Sequence, residues 1–454
     1  MEEKNSEKKE RKMRDSGIPW IGEVPEGWKV VPLKYLLSNE ANSLKVGPFG
    51  SQLSGSDFTD DGYWVYNQRS VLDKNFDSND TFISESKFNS MNSFKVEEND
   101  ILITTRGTIG KICRIPQNYH KGIIHPCIIK FRINESLLMY SLLEKIFNES
   151  DLVKKQFEIN SNATTIDVIY GSTLRNILIP VPPVQIQHSI ADFLDSKCSE
   201  IDALIENLRA RMESVKEYKK AVITEAVTKG LDKDAKMKDS GVEWIGEVPE
   251  GWKICKVKQI SNKITDGAHI SPNTTNGEFK FLSVTNMNDT GALDFVNCLK
   301  INSVQYAYLV KTGCQPKKDD VLISKDGTIG KTTVVSDNNF VVASSLVIIR
   351  PNQLKIRPKY LKYCLMSNIV QEQLLSVLAG SALKRVSIEK NANLKFVYTY
   401  DMTTQQQIID YLDSKCSEID TLLQNYEDQI ATLEEYKKSL IYEYVTGKKE
   451  VPEA

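Results

Sequence analysis

The sequence predicts an α+β protein with a pseudo-two-fold internal repeat: two globular α/β domains joined by two long antiparallel coiled-coil helices. Two observations carry this expectation. Three blocks recur in the same order: Asp15–Trp28 (DSGIPWIGEVPEGW) as Asp239–Trp252 (DSGVEWIGEVPEGW), Asp100–Lys111 (DILITTRGTIGK) as Asp320–Lys331 (DVLISKDGTIGK), and Asp195–Asp202 (DSKCSEID) as an unchanged Asp413–Asp420. The residues between the blocks diverge, so the chain carries one frame twice with two different payloads. Each half also closes on a heptad stripe, which marks a coiled-coil helix.

The order of elements follows. Residues 1–14 form a charged tail, 15–185 a first globular domain, 186–230 a first spacer helix and 231–238 a polar linker. Residues 239–402 form a second globular domain and 403–447 a second spacer helix. In the first helix Leu194, Ile201, Leu208, Val215 and Val222 recur every seven residues, with Cys198, Ile205, Met212 and Ala226 as companions. Leu412, Ile419, Tyr426, Leu433 and Leu440 do the same in the second, with Cys416, Leu423, Ile430 and Tyr444. No Pro or Gly interrupts either helix, and Gly230 and Gly447 stop them at matching places. At ~1.5 Å per residue each would be on the order of 60 Å long. Each stripe needs a partner; the other copy is the economical one, and a parallel homodimeric coil is the alternative.

Within the domains, Val96–Thr105 and Asp320–Ser324 read as strands entering Gly turns, and Gly122–Ile133 and Asn339–Arg350 as buried strand segments. Ser136–Glu158 and Lys359–Leu378 have helical spacing. The proline-rich Ile179–Val184 is an extended connector into the first helix, whereas Val397–Gln405 lacks those prolines.

The bulk numbers exclude several classes. The 454 residues are 41% hydrophobic and 26% charged, with no apolar run of membrane-spanning length and no signal-peptide core, so the expected location is cytoplasmic. Eight scattered cysteines and four histidines form no metal-ligand spacing. A net charge of −2 does not advertise nucleic acid, although it can conceal a basic face.

The motifs point to binding rather than catalysis. The GTIGK turn lacks the upstream Gly of a nucleotide-binding loop, where Thr105 and Lys325 stand, and Ile112 occupies the magnesium-binding position in the first copy. What remains is a turn that can set backbone N–H groups, a Thr hydroxyl and Lys111 or Lys331 against a DNA phosphate. Beside the fixed turn the copies differ, Arg106 against Asp326. Two glycine-bearing loops, Val46–Leu53 (VGPFGSQL) and Thr265–Pro272 (TDGAHISP), precede polar turns at Val65–Arg69 and Ser283–Met287, whose Asn, Gln and Arg side chains suit base edges. The WIGEVPEGW boxes read as aromatic domain caps, with base stacking as the alternative. No methyltransferase, hydrolase or zinc-protease motif is present, and the Glu-Tyr-Lys triplets at 217–219 and 435–437 read as solvated helix faces.

Together the doubled DSG-x-x-WIGEVPEGW box, the GPFGSQL and TDGAHISP loops, the GTIGK turns, the IPVPPVQIQ connector and the SKCSEID helices resemble the specificity subunit of type I restriction–modification systems, over almost the whole chain. The resemblance implies that each globular half is a target recognition domain reading one half of a split DNA site. It implies that the helices form an antiparallel spacer that docks two modification (methyltransferase) subunits, with restriction/translocase subunits in the full complex. It further implies that this chain is not itself an enzyme and holds no cofactor, S-adenosylmethionine, ATP and Mg residing on its partners. By positional match, the expected DNA contacts are Ser51, Gln52, Asn67, Arg69, Arg106, Thr108 and Lys111 in the first half. In the second they are Asp266, His269, Asn286, Lys325, Thr328 and Lys331, with Lys384 and Arg385 as further phosphate candidates. The competing expectation is a coiled-coil scaffold indifferent to DNA sequence.

Overall fold

The computed structural model describes residues 11–160, 168–275, 277–288, 290–379 and 385–452. Two compact units divide the chain, and their limits cut across both long helices: one holds Met1–Asn207 with Asp428–Ala454, the other Leu208–Glu427. Each unit therefore owns one globular half, one end of the helix Val184–Lys229 and one end of the helix Met402–Val445. No helix among the described residues is long and apolar enough to cross a membrane.

In the first unit an antiparallel sheet runs in the order Leu44–Val46, Ile128–Phe131, Ile101–Thr104, Ile112–Arg114. A second sheet has the order Gly122–Ile124, Tyr63–Tyr66, Phe82–Ile83, Phe58–Thr59, its first pair parallel. The second unit repeats the arrangement with Ser261–Asp266, Leu346–Pro351, Val321–Ser324 and Thr332–Val334, beside Leu299–Ile301, Phe279–Leu282 and Phe340–Val342. The apolar runs expected at 122–133 and 339–350 thus each contain two strands in different sheets. The break falls at His125–Cys127 and at Ala343–Ser345, where the chain turns from one sheet into the other. The strand expected from Val96 begins only at Ile101, because Asn99 takes a left-handed φ of 65° and Asp100 turns the chain. Asp100 and Asp320, the first residues of the repeated GTIGK blocks, are almost fully buried and hold equivalent arginines. Arg132 Nε donates to Asp100 at 2.6 Å, and Arg350 donates twice to Asp320 at 2.9 and 2.8 Å. These charge-assisted bonds pin the internal strands Ile128–Phe131 and Leu346–Pro351 to the strands that enter the turns.

The long helices pack antiparallel within each unit. In the first, Leu194, Cys198, Ile201 and Ile205 share a core with Leu440, Ile441, Tyr444 and Val445; in the second, Val222, Ile223, Ala226 and Val227 share one with Ile408, Ile409, Leu412 and Cys416. The flanking ion pairs are the same pair with the helices exchanged: Asp202 with Lys437 at 2.8 Å, and Asp420 with Lys219 at 2.5 Å. Leu208, Val215, Tyr426 and Leu433 of the stripe are only half-buried.

Both helix starts are fixed by one buried glutamine. Gln187 donates to the Leu137 and Pro182 carbonyls and accepts from Met139 N–H. Gln405 donates to the Lys355 and Thr399 carbonyls and accepts from Arg357 N–H. The second helix makes up for its missing prolines with Asp401, whose carboxylate accepts from the Thr403 and Thr404 N–H groups as an N-cap. The domains also grip the helices through repeat-equivalent carboxylates: Lys145 reaches Asp195 at 2.9 Å, and Lys359 and Tyr363 both reach Asp413 at 2.7 Å.

The tryptophan boxes are hairpins, Met13–Asp15 paired with Glu23–Pro25 and Met237–Asp239 with Glu247–Pro249. Trp28 and Trp252 are buried over the helix ends, Trp28 against Gly447 and Trp252 against Gly230. Both glycines have left-handed φ, 73° and 76°, which ends a helix without steric penalty only in the absence of a side chain. A Cβ on Gly447 would lie 2.6 Å from the Pro25 ring, whereas on Gly230 the nearest atom is 3.3 Å away, on Trp252. Gly447→Ala should therefore destabilise the protein by about 1–3 kcal/mol and Gly230→Ala by less, read as urea midpoints of the full chain.

A second expectation concerns pH. Burial pushes the Asp413 carboxyl up, but hydrogen bonds from Lys359 and Tyr363 outweigh it and hold the group below the usual aspartate range. A lowered folded-state value means stability that is complete above the ordinary value near ~4 and lost as pH falls through the folded one. Asp413→Asn should cost about 0.5–1 kcal/mol near neutrality, given its partial exposure. That difference from wild type should shrink steadily below about pH 4 in denaturant titrations.

Candidate nucleic-acid interface

In each unit the loops singled out from sequence converge on one rim, where strands of both sheets end. In the first unit Val46, Thr104 and the start of Ile128–Phe131 lie side by side in the antiparallel sheet, and Ile124 pairs with Tyr66 in the other. The corner His125–Cys127 joins the two sheets, and the loops pack on it. Gly47 N–H donates to the Ile128 carbonyl, Thr105 donates through N–H and hydroxyl to the Cys127 carbonyl, and His125 N–H donates to the Tyr66 carbonyl. In the second unit Gly267 N–H donates to Leu346, Lys325 N–H to the Ser345 carbonyl, and Val284 N–H to the Ser345 hydroxyl. The rim therefore gathers Gly47–Gln52, Asn67–Arg69 and Arg106–Thr108 in one unit, and Gly267–Pro272, Ser283–Asn286 and Asp326–Thr328 in the other.

The repeated GTIGK turn is built to expose its tip. Thr104 and Ser324 hydroxyls accept from the Lys111 and Lys331 N–H groups at 3.1 and 2.9 Å, and Gly110 and Gly330 N–H groups close the turn on the Thr104 and Ser324 carbonyls. Gly107, Gly110, Gly327 and Gly330 all have positive φ, so the reversal is available only to glycine at these points. Arg106, Thr108 and Thr328 are left exposed.

The side chains divide into those that face outward and those that serve the fold. Ser51, Gln52, Arg69, Arg106, Thr108, His269, Thr328 and Arg385 are exposed. Among the described contacts Arg106 makes no ion pair, while Arg69 sits 3.2 Å from Asp80 and 3.9 Å from Asp73. Burial and the Arg106 guanidinium hold His125 below its usual range, so at neutral pH this corner carries a neutral imidazole near a charged guanidinium. Asp326, which takes the place of Arg106, is gripped by Arg385 through two bonds of 2.6 and 2.7 Å, so the second tip receives an arginine from a distant segment. Lys384 lies outside the described residues.

Other candidates face inward. Lys111 is half-buried with its ammonium on the Asn148 carbonyl, and Lys331 donates to the Met287 carbonyl at 3.0 Å. Burial pushes the Lys111 ammonium below its usual range. Asn148 also brackets Ile112, accepting from its N–H and donating to its carbonyl. Lys325 is 4% exposed and lies 2.5 Å from Asp266, whose same oxygen is 2.8 Å from His269 Nε2. Asn67 caps the short helix Gln68–Asp73. Asn286 is buried, accepts from Ser283 N–H and donates to the Asn297 carbonyl. It occupies the capping-box position that Ser70 holds in the first unit, so the two asparagines sit three residues out of step rather than as counterparts. Sequence reasoning passed over His125 and Phe49, whereas Gln68, one of the side chains read as suited to base edges, lies against Gly107. The signal for Phe49 was present: one aromatic between two glycines in an otherwise polar loop.

Comparisons with known proteins bear on the same halves. The family model for the type I restriction modification DNA specificity domain matches residues 25–214 and 249–432. The chain is 24% identical to the type I restriction enzyme MjaVIII specificity subunit of Methanocaldococcus jannaschii, covering 94% of this chain and 93% of that protein. It is 24% identical to the EcoBI specificity subunit of Escherichia coli, covering 69% and 70%. A solved chain from work on complex assembly and conformational transition of the type I R-M system shares the fold with a TM-score of 0.66, at 16% identity, covering 94% of this chain and 99% of that one.

The inward and outward lysine and arginine make separable predictions. Lys111→Ala should lower stability by about 1–2 kcal/mol by stranding the Asn148 carbonyl, and leave the salt slope of DNA binding unchanged. Arg106→Ala should leave the melting temperature within error and weaken or relax recognition in one half-site only. Thermal melts and salt-dependent binding isotherms of both variants check this.

Proposed function

The chain belongs to the type I restriction–modification DNA specificity family, and from that premise we propose that each unit reads one half of a bipartite duplex site through its rim. The observation that carries the reading is a shared turn with unlike tips: the same locked GTIGK frame presents Arg106 in one unit and the Asp326–Arg385 pair in the other. A frame held constant fixes position on the backbone, and differing tips and loops supply different base preferences. Ser51, Gln52, Arg106, Thr108, His269, Thr328 and Arg385 are the side chains placed to contact DNA. Asn67, Arg69 and Asp266 shape the rim, and Lys111, Asn286, Lys325 and Lys331 support it.

Catalysis then belongs to partner subunits, with S-adenosylmethionine on modification subunits and ATP and Mg on restriction/translocase subunits. The helix pair serves as spacer and dock. Leu204 and Leu422 are repeat-equivalent, as are Tyr218 and Tyr436, and all four remain exposed on the helices at 55%, 39%, 59% and 53%. Apolar side chains kept identical on both copies, while the domains differ, suit one kind of partner taken twice. The register set by Asp202–Lys437 brings Leu204 and Tyr436 onto neighbouring turns of the first unit, and that set by Lys219–Asp420 does so for Tyr218 and Leu422 in the second.

The test is binding of the assembled complex to its mapped site and to scrambled duplex. Cognate preference of about 1–3 kcal/mol per base pair is expected, and equal affinity would favour a scaffold indifferent to sequence. Leu204→Ser with Tyr436→Ser should reduce bound modification subunits from two to one by native mass spectrometry, leaving the second dock occupied. Retention of two subunits would place the dock elsewhere.

A further inference from the structure

Phe49 is the most exposed large apolar side chain of the first unit among the described residues, at 73%. Scattered exposed hydrophobes are ordinary, but the backbone around this one is held from every side. Its carbonyl accepts from Gln52 N–H at 2.8 Å and Leu53 N–H at 3.1 Å, and its own N–H donates to Gln52 Oε1 at 3.1 Å. Leu53 anchors the far side of the loop at 3% exposure. On the near side Gly47 packs so closely on the His125 and Ile128 carbonyls that no Cβ fits. The backbone that carries the ring is thus held at the rim, in the loop that also carries Gln52, and the ring reaches a ligand without loss of backbone freedom on binding.

Resting on the DNA-reading assignment, we infer that Phe49 is a wedge that enters between two base pairs of the half-site read by the first unit and partly unstacks that step. A phenyl ring carries no hydrogen-bonding group for a phosphate or a base edge; the apolar surfaces it matches in duplex DNA are the thymine methyl and the face of a base, and a rigidly held backbone suits insertion against the latter. The second unit has no phenyl ring at the equivalent place, although Ile270 stands exposed one residue further on. Counting from the equivalent glycines, Gly47 and Gly267, the matching position is His269, a polar ring 2.8 Å from the Asp266 carboxylate that also binds Lys325. The two units therefore present different side chains at this position, a phenyl ring in one and a carboxylate-held imidazole in the other.

The experiment uses the full chain assembled with its modification subunits on the mapped cognate duplex, with 2-aminopurine placed at successive positions of both half-sites. Base extrusion by the modification subunits raises fluorescence at their target adenines in both half-sites, and a further rise is expected at one step of one half-site only. Phe49→Ala should abolish this further rise and weaken cognate binding by about 5- to 100-fold, with an unchanged melting temperature because the side chain is exposed, while Phe49→Trp retains both. The inference is overturned if Phe49→Ala binds the cognate duplex as wild type does with the same fluorescence profile, or if it instead loses modification subunits. If wild type itself does not distinguish cognate from scrambled duplex, the DNA-reading assignment fails first.

Discussion

The antiparallel seam between the two long helices is the interaction on which the rest of the structure depends. Neither helix has a finished apolar surface alone, and each globular half completes its core only with one end of both helices. Leu194–Ile205 and Leu440–Val445 belong to the first unit's core, and Val222–Val227 and Ile408–Cys416 to the second's. Exchange of one Asp–Lys pair between the helices, Asp202–Lys437 and Asp420–Lys219, fixes the same register at both places. Antiparallel pairing of two copies of one sequence makes such an exchange automatic: each residue of the pair meets the partner that its repeat-equivalent meets. This is how a tandem duplication yields a two-fold arrangement of environments rather than two successive ones.

Much of this was legible before any coordinates. Heptad spacing without Pro or Gly specifies long helices, and Gly230 and Gly447 mark their ends because left-handed backbone excludes other residues. The shared order of the glycine loops, the polar turns and the GTIGK tips in both halves was legible, but their convergence on one rim was not. Nor could the direction of side chains be read. A lysine at the exit of a Gly turn looks the same whether it points to a phosphate or, as Lys111 does, folds back on the Asn148 carbonyl 37 residues away in sequence. Lys325 looks like an exposed cation until Asp266 buries it. Asn286 looks like a base reader until its capping role and its contact with the Asn297 carbonyl appear. The continuous apolar runs at 122–133 and 339–350 concealed a corner, because a chain crossing between two sheets is buried on both sides of the turn. Burial depends on contacts between distant residues, and local pattern carries little of that information.

Identity between the copies is therefore an ambiguous signal. The invariant residues of the repeat split into core and cap, as with Asp100 and Asp320, Gln187 and Gln405, and Trp28 and Trp252, and into a smaller outward set on the helices. The variable residues split the same way: Thr105 and Lys325 both face inward despite their difference, while Arg106 and Asp326 face outward. Exposure, more than sameness, separates structure from recognition in this chain.

The cap formed by Trp28 over Gly447 has a consequence for synthesis. In the second unit the helix end at Gly230 and its tryptophan hairpin are neighbours along the chain, so this junction can form as soon as both emerge. In the first unit the corresponding partners, Ile21 and Trp28 on one side and Leu440–Val445 on the other, are separated by more than 400 residues, and Tyr442 donates across that gap to the Trp20 and Ile21 carbonyls. Of the two globular halves, the one translated earlier is thus the later to finish its core. Until the C-terminal helix is translated, the buried face of the first hairpin stays open to solvent and to chaperones, and a truncation near the C-terminus would damage the N-terminal half most.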